Sequence, residues 1–376
     1  MNRCEAARLA IIVSNILLLF TPVYFSLITK NISTEDRGTL VAVVVMYRHG
    51  DRAPLISFPR DEYYNLTYWP MGFGQLTKYG VTRLYNLGKW FRKRYKNFLS
   101  ETYSPNEIYI HSSNIDRCLM SASAALAGLY PPTGFQFWNP QLSWQPIPVH
   151  TDNKNHDEII TERRKCKKYE DIVLTLQEAT YPSYERNYTE LFQFVSNKTG
   201  WTVSLYEIKT LYSVLNSYNS YNSSFVPKWI ENINLDIVET LAAVVYGLPS
   251  STIELARLRI GPFYKYMFDL FDTFVNSSSS NMPKFIMISA HDTTVCSALG
   301  AMRAFRNPVK FGDTLIWELR KYEDGNFYIN VNYKTEEKIN RINVINCGFD
   351  CDYSIFKQNL SSITVNYEEW NIECNN

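Results

Sequence analysis

The pattern of apolar and polar positions predicts strands that alternate with helices. Residues 43–47, "VVVMY", indicate a buried strand that ends on Arg48 and His49. Thr77 can cap a following helix, whose apolar positions recur every three or four residues at Leu84, Leu87, Phe91, Tyr95 and Phe98. The basic residues between them are expected to form a solvated outer face: Lys89, Arg92, Lys93, Arg94 and Lys96.

Similar patterns follow further along the chain. Residues 106–113 indicate a strand before a small-residue helix at 115–130, and residues 284–302 repeat this strand-to-helix arrangement. Residues 314–334 predict a hairpin with Asp324 and Gly325 at its turn. The region 152–257 is helix-rich, and "NSYNSYNSS" at 216–224 is expected to be a polar surface loop within it. The alternation predicts a layered α/β fold without internal repeats.

The first 30 residues resemble a secretory signal peptide. Arg3 and Arg8 precede an apolar stretch from about Leu9 to Phe20. An uncleaved signal anchor is the alternative, because weaker apolar character extends to Ile28 and reaches the ~20 residues of a membrane helix. Pro22 favours cleavage, and the C-terminal end is polar. We therefore expect a secreted protein without a stable membrane anchor.

Sequons and cysteines agree with an oxidising, glycosylating route. Glycosylation sequons begin at Asn31, Asn65, Asn187, Asn197, Asn222, Asn276 and Asn359. Apart from Cys4 in the signal region, the cysteines are Cys118, Cys166, Cys296, Cys347, Cys351 and Cys374. A disulfide could close the short "GFD" loop between Cys347 and Cys351. Zinc is the alternative, but no second Cys or His pair stands at ligand spacing, so we favour the disulfide.

Charge adds a constraint on the ligand. The chain has 38 basic and 37 acidic residues, a net charge of +1, so nothing indicates nucleic acid or an anionic membrane as a partner. Any preference for anions must come from a local cluster. Three predicted strands do lead into polar clusters, and ligands gather beyond the carboxyl ends of strands in open α/β sheets. The clusters are Arg48, His49 and Arg52; Arg117; and His291 and Asp292.

Converged at one edge, these side chains would suit cleavage of a phosphate ester. The planar forks of Arg48, Arg52 and Arg117 match phosphoryl oxygens, and His291 can be a further donor. His49 can attack as a neutral imidazole, because neighbouring arginines lower its pKa. Asp292 can protonate the leaving group, which implies an acid pH optimum. Each cluster alone has an ordinary structural explanation, such as helix capping by Asp292; together they favour the functional interpretation.

The segments "YRHGDRAP" and "SAHDTT" resemble the acid phosphatase branch of the histidine phosphatase superfamily, which includes secreted and lysosomal animal acid phosphatases. The resemblance extends through nearly all of the mature chain. It implies a phosphohistidine at His49, a proton donor at Asp292, and phosphate binding by Arg48, Arg52, Arg117 and His291. It also implies a phosphoglycerate mutase-like α/β/α domain over residues 38–376, with a helical cap inserted at about 152–257. Small phosphate monoesters are the implied substrates, no cofactor or metal is expected, and a homodimer is possible.

The chain departs from the family pattern in several places. His111 and Asn114 stand where relatives carry an arginine and an aspartate, which alters the expected charge near the pocket. Lys209 stands where the prostatic type has a cleft tryptophan; it could favour more anionic esters or point into solvent.

The resemblance further implies two disulfides, Cys166 with Cys374 and Cys347 with Cys351. Cys118 and Cys296 are then expected to be buried thiols, with a bridge between them as the alternative.

Three other functions could use part of this set of residues. A mutase-like transferase shares Arg-His-Gly but is not expected to carry the Asp51-Arg52 and His291-Asp292 pairs or a signal peptide. A phytase would use the same residues on inositol phosphates. A secreted ligand-binding protein would keep the fold without turnover, but such proteins usually lose part of the catalytic set. No metal-ligand cluster, glycine-rich phosphate loop or Ser/His/Asp arrangement competes.

Overall fold

A computed structural model of the chain describes residues 37–153, 157, 159–160, 164–276 and 282–375. The predicted signal peptide at 1–30 and the sequon at Asn31 lie outside this part. Among the described helices, none is both long enough and apolar enough to cross a bilayer.

A mixed sheet of seven strands lies at the centre of the described fold. Its strands are β1 (Thr39–Arg48), β2 (Ile108–Ser112), β3 (Phe285–Ala290), β4 (Thr314–Lys321), β5 (Phe327–Lys334), β6 (Ile339–Arg341) and β7 (Asp350–Asp352). The order is β2-β3-β1-β4-β5-β6, and β7 also pairs with β5. Strands β2, β3 and β1 are parallel, whereas β4 and β5 form the predicted antiparallel hairpin. The three parallel strands therefore end at the same edge of the sheet.

Helices connect and cover these strands. They are α1 (Lys78–Arg94), α2 (Asp116–Leu129), α3 (Lys167–Asn187), α4 (Thr189–Thr199), α5 (Leu205–Tyr221), α6 (Leu235–Gly247), α7 (Ile253–Val275), α8 (Asp292–Ala301), α9 (Tyr353–Asn359) and α10 (Tyr367–Asn375). Single 3-10 turns lie at Gly134–Gln136, Ser223–Phe225, Lys228–Asn232 and Leu248–Ser250.

Strand β1 divides the core into two faces. Val43, Val45 and Tyr47 pack in the apolar cluster that contains α1 and α2. Val44 and Met46 belong to the cluster formed with α7 and α8 on the opposite face. Since successive side chains of a strand point to opposite faces, an uninterrupted apolar run fits a strand covered on both sides. The predicted layered α/β architecture is thereby confirmed.

A separate apolar cluster joins α4, α5 and α6 to the loop after β1. The expected surface loop at 216–224 is wrong over most of its length, because α5 continues to Tyr221. Tyr218 follows Leu211, Val214 and Leu215 at helical spacing and is fully buried, with its ring stacked on Trp69 at 5.7 Å. The helical spacing of buried side chains therefore decides the structure of this segment, in spite of its polar composition. The bounds of the inserted cap, 152–257, stay a prediction.

Helix α1 begins as predicted, with the Thr77 hydroxyl accepting a hydrogen bond from the Gly80 amide at 3.2 Å. The expectation that its basic residues all face solvent is wrong for Arg94. That guanidinium donates to Oε1 of the buried Glu318 at 2.8 and 2.9 Å, because the carboxylate on β4 needs a counter-charge inside the fold.

Two glycines let α1 and α2 touch backbone to backbone. A Cβ on Gly88 would lie 1.8 Å from the Ala125 carbonyl oxygen, and one on Gly128 would lie 2.1 Å from that of Tyr85. Side chains at these two positions would push the helices apart.

The structure contains the two disulfides that the resemblance implies. Cys166 pairs with Cys374 across 208 residues, and Cys347 pairs with Cys351. Cys118 and Cys296 are buried and form no disulfide, so the alternative of a bridge between them is wrong.

Candidate active site

The carboxyl ends of the three parallel strands bring the predicted site residues together. Strand β3 lies between β1 and β2, and it pairs Ala290 with Arg48 and Ser289 with Ser112. His49 continues from β1, and its amide donates to the Ala290 carbonyl at 3.0 Å. The imidazole rings of His49 and His291 consequently lie 5.7 Å apart between centroids.

His49 is held in one tautomer by its own loop. Its Nδ1 lies 2.8 Å from the Gly50 carbonyl oxygen. Because a carbonyl oxygen only accepts, Nδ1 must carry the proton and Nε2 keeps its lone pair. Burial, followed by the charges of Arg48 and Arg117, holds the pKa of His49 well below its usual value. The ring is therefore a neutral nucleophile even under mildly acidic conditions.

The loop after His49 fits closely against the start of α1. A Cβ on Gly50 would lie 2.5 Å from the Gly80 carbonyl oxygen, which explains a glycine directly after the histidine. Asp51 is buried and accepts hydrogen bonds from Arg83 Nε at 2.6 Å and Nη2 at 3.2 Å. Asp51 therefore anchors this loop to α1.

Arg48 and Asp292 form a buried ion pair. Arg48 Nη2 lies 2.9 Å from Asp292 Oδ2, while Nη1 donates to the Val309 carbonyl at 2.7 Å. The guanidinium also lies over the Phe311 ring, 4.0 Å from its centroid. These three contacts fix the Arg48 fork at the end of β1.

Asp292 opens α8 and is ionised in this arrangement. Burial alone would raise its pKa, but the charges of Arg48 and then Lys209 outweigh burial and hold the pKa far below its usual value. Tyr246 donates its hydroxyl to Oδ2 at 3.3 Å, and the Thr293 amide donates to Oδ1 at 2.8 Å. A proton on Asp292 therefore requires further negative charge nearby, which a phosphoryl group would bring.

Arg52 connects the sheet to the cap. It donates from Nη1 to the Ala53 carbonyl and from Nη2 to the Ser213 hydroxyl on α5, both at 3.1 Å. Burial, and then the charge of Arg48, lowers the pKa of Arg52 to about 10. Such crowding of cations indicates a site that is electrostatically prepared for an anion.

Arg117 lies in the first turn of α2, where its Nη2 is 3.4 Å from His291 Nδ1. A guanidinium only donates, so Nδ1 accepts and Nε2 carries the proton toward the Ser113 hydroxyl at 2.9 Å. The Cys118 sulfur lies 3.8 Å from the same ring. Arg117, His291 and Ser113 thus form one hydrogen-bonded row at the edge of the sheet.

These groups border a cavity of about 320 Å³. His49, Arg52, Arg117, His291 and Asp292 line it together with Thr293 of α8 and with residues of the cap and of the loop after β1: Pro54, Leu55, Ile56, Tyr206, Lys209, Thr210, Ser213, Val214 and Tyr246. Arg48 is not among the lining residues, but its guanidinium pairs with Asp292, which is. Lys209 lines the cavity, so of the two alternatives left open for it, a place facing the substrate fits this lining better than one in solvent. His111 is not among the lining residues, and its Nε2 contacts the Asp157 carboxylate at 3.1 Å.

Comparison with known proteins identifies the family of the chain. The model of the histidine phosphatase superfamily, branch 2, matches residues 39–327. The chain belongs to this family. It is 32% identical to a lysosomal acid phosphatase of Xenopus laevis over 88% of this chain and 78% of that protein. It is 31% identical to a prostatic acid phosphatase of Bos taurus over 88% of this chain and 87% of that protein.

Solved structures agree on the fold of this branch 2 histidine phosphatase. The phytase from Citrobacter braakii matches with a TM-score of 0.64 and 19% identity, covering 89% of this chain and 99% of that one. The Hafnia alvei phytase in complex with tartrate matches with a TM-score of 0.65 and 16% identity, over 88% and 98% of the two chains. At these identities the likeness concerns the fold alone.

Three polar residues at this histidine phosphatase site were not predicted from the sequence. Tyr246 and Ser213 come from cap helices, and Ser113 follows β2. Ser113 had a usable signal, because it stands at the end of a predicted strand. Tyr246 and Ser213 lie within apolar helical patterns, and their approach to Asp292 and Arg52 depends on how the cap packs.

Proposed function

We propose that the chain is an acid phosphatase that hydrolyses phosphate monoesters through a phosphohistidine at His49, with Asp292 as proton donor. The observation that carries this proposal is the tautomer of His49. Its Nδ1 is bound to the Gly50 carbonyl, so the lone pair of Nε2 is available in a cavity lined by Arg52 and Arg117.

The first half of the reaction cleaves the ester. His49 Nε2 forms a bond to phosphorus as the bond from phosphorus to the ester oxygen breaks. Arg48, Arg52 and Arg117 balance the charge of the phosphoryl oxygens. The charge of the bound dianion opposes that of the arginines and so raises the pKa of Asp292, whose proton passes to the departing oxygen as the alcohol leaves.

The second half regenerates the enzyme. Asp292, now a carboxylate, takes a proton from water as that water attacks the phosphorus of the phosphohistidine. The bond between phosphorus and Nε2 breaks, and orthophosphate leaves. Dependence on a protonated Asp292 in the first half predicts an acid pH optimum for esters with poor leaving groups.

We also propose that the protein is secreted and glycosylated. In support, the sequon asparagines of the described chain are exposed, namely Asn65, Asn187, Asn197, Asn222, Asn276 and Asn359. The relatives are acid phosphatases named lysosomal or prostatic. Two disulfides fit an oxidising compartment.

The test is hydrolysis of an aryl phosphate between pH 4 and 8 by the secreted protein, beside His49→Ala. We expect turnover that peaks on the acid side and is lost in the variant. Rapid quenching with 32P-labelled substrate should trap an acid-labile, alkali-stable label on the wild type only. A folded wild-type protein without turnover would contradict the proposal and support a ligand-binding role. Preference for inositol hexakisphosphate over simple monoesters would instead indicate a phytase.

A further inference from the structure

A cationic side chain of the cap lies on the side of the cavity where the leaving group would depart. Lys209 lies on α5 and lines the same cavity as His49 and Asp292. Its Nζ lies 5.0 Å from the centre of the Tyr246 ring and 5.4 Å from that of Tyr206. Tyr246 in turn donates its hydroxyl to Asp292. Lys209 is thus placed over the aromatic ring that contacts the proton donor.

The electrostatics of the cavity agree with this position. After Arg48, Lys209 is the strongest of the cations that hold down the pKa of Asp292, whereas the charges that lower the pKa of His49 come from Arg48, Arg117, Arg52 and His291. Coulombic effects fall with distance. Lys209 therefore acts on the group that meets the departing oxygen, and not chiefly on the group that meets phosphorus.

The balance of charge explains why this cation matters for the substrate. Once the substrate is bound, Asp292 carries the proton that it transfers, so its carboxylate no longer offsets Arg48, with which it pairs at 2.9 Å in the free site. A phosphoryl dianion carries a charge of about two, which the guanidinium groups of Arg48, Arg52 and Arg117 already balance. Lys209 adds positive charge beyond what the phosphoryl group needs, on the side that receives the rest of the ester.

Resting on the proposed phosphatase activity, we infer that Lys209 selects phosphate monoesters whose leaving group carries a second negative charge. The exposed apolar side chains of Leu55 and Ile56, together with Tyr206, line the cavity around it. The substrate class is therefore an ester with an aryl or apolar body that bears a carboxylate or a second phosphate. Lys209 is a specificity-determining residue for this class.

The experiment compares two esters that differ mainly in charge, 4-carboxyphenyl phosphate and 4-carbamoylphenyl phosphate. The ratio of their kcat/KM values is measured for the wild type, Lys209→Met and Lys209→Arg. Taking the ratio within each variant cancels general effects of a substitution on catalysis. Lys198→Met is the matched control, because Lys198 is an exposed lysine of the cap that does not line the cavity.

We expect Lys209→Met to lower the preference for the carboxylate about tenfold, mainly through KM, which corresponds to about 1.4 kcal/mol. Lys209→Arg should keep most of the preference, and Lys198→Met should keep all of it. Thermal melts verify that each variant is folded. A ratio in Lys209→Met within twofold of the wild type would overturn the inference and leave the phosphatase assignment standing. Absence of turnover on both esters by the wild type would overturn the assignment and the inference together.

Discussion

Replacing Asp292 with asparagine separates its chemistry from its place in the fold. Arg48 and Tyr246 both donate to Oδ2, so the amide oxygen of an asparagine can occupy that position and accept both hydrogen bonds. The amide nitrogen then faces the Thr293 N–H, which now donates to Oδ1 at 2.8 Å. The variant should therefore keep the shape of the site while losing one hydrogen bond, one negative charge and the transferable proton.

Two magnitudes follow from these contacts. Removing one partner of a buried ion pair costs about 3 to 5 kcal/mol of unfolding free energy. In the variant, Arg48 keeps its hydrogen bond to the Val309 carbonyl and its contact with the Phe311 ring. We therefore expect the unfolding free energy to fall by about 3 kcal/mol, the lower end of this range. Loss of general acid catalysis should lower kcat about 10² to 10⁴-fold for an alkyl phosphate. For 4-nitrophenyl phosphate, whose leaving group needs little protonation, about tenfold is expected.

The assay measures kcat for both esters at pH 5 in the wild type, Asp292→Asn and Asp313→Asn. Asp313 is the matched control, because it is also buried and its backbone carbonyl accepts from the Arg48 amide at 3.1 Å, but its carboxylate accepts from Tyr333 at 2.7 Å and does not line the cavity. Its replacement should affect both esters by the same factor. Equal losses on the two esters in Asp292→Asn would refute the assignment of Asp292 as proton donor.

Three further outcomes test the structure around the site. Ser213→Ala should raise the inhibition constant of inorganic phosphate about fivefold, the effect of losing about 1 kcal/mol of hydrogen bonding to Arg52, while Ser217→Ala on the same helix should not. Gly128→Ala should lower the unfolding free energy in urea by about 3 kcal/mol, since its Cβ would lie 2.1 Å from a carbonyl oxygen of α1. The pKa of His49 is lower in the folded than in the unfolded protein, so the unfolded state binds more protons and stability falls as pH drops below about 6.5. Between pH 7 and pH 5, the unfolding free energy of His49→Gln should therefore fall by about 2 kcal/mol less than that of the wild type, as measured by urea denaturation at both pH values. An equal fall in both proteins would contradict this.

The sheet could be read from the sequence because its signals are local. The apolar run 43–47 is buried on both faces, and the Asp324-Gly325 turn joins β4 and β5, with Gly325 at a φ of +83°. The helical structure of the cap was harder to predict, since asparagine and serine at 216–224 outnumber the tyrosines whose burial makes this segment part of α5. Arg94 was misplaced for a related reason: its partner Glu318 is 224 residues away, and no local pattern marks that contact.

The sequence predicted which side chains converge at this edge of the sheet and that arginines would lower the pKa of His49, but not the tautomer of His49 or the ionisation of Asp292 in the free site. Strand ends with His and Arg identified the residues that converge, because parallel strands share an edge. The tautomer of His49 depends on the orientation of one carbonyl group, and the ionisation of Asp292 depends on charges from β1 and α5. The first is a local backbone orientation and the second arises from distances between elements, and a linear pattern contains neither.

The Cys166–Cys374 disulfide makes most of the molecule a covalent ring. The ring includes helices α3 to α10 and strands β3 to β7, whereas β1, α1, β2 and α2 precede it. A protease that cuts one exposed peptide bond inside the ring opens it without releasing a fragment. His291 and Asp292 would remain linked to the segment that carries His49, so a nicked molecule would keep its mass until the disulfide is reduced.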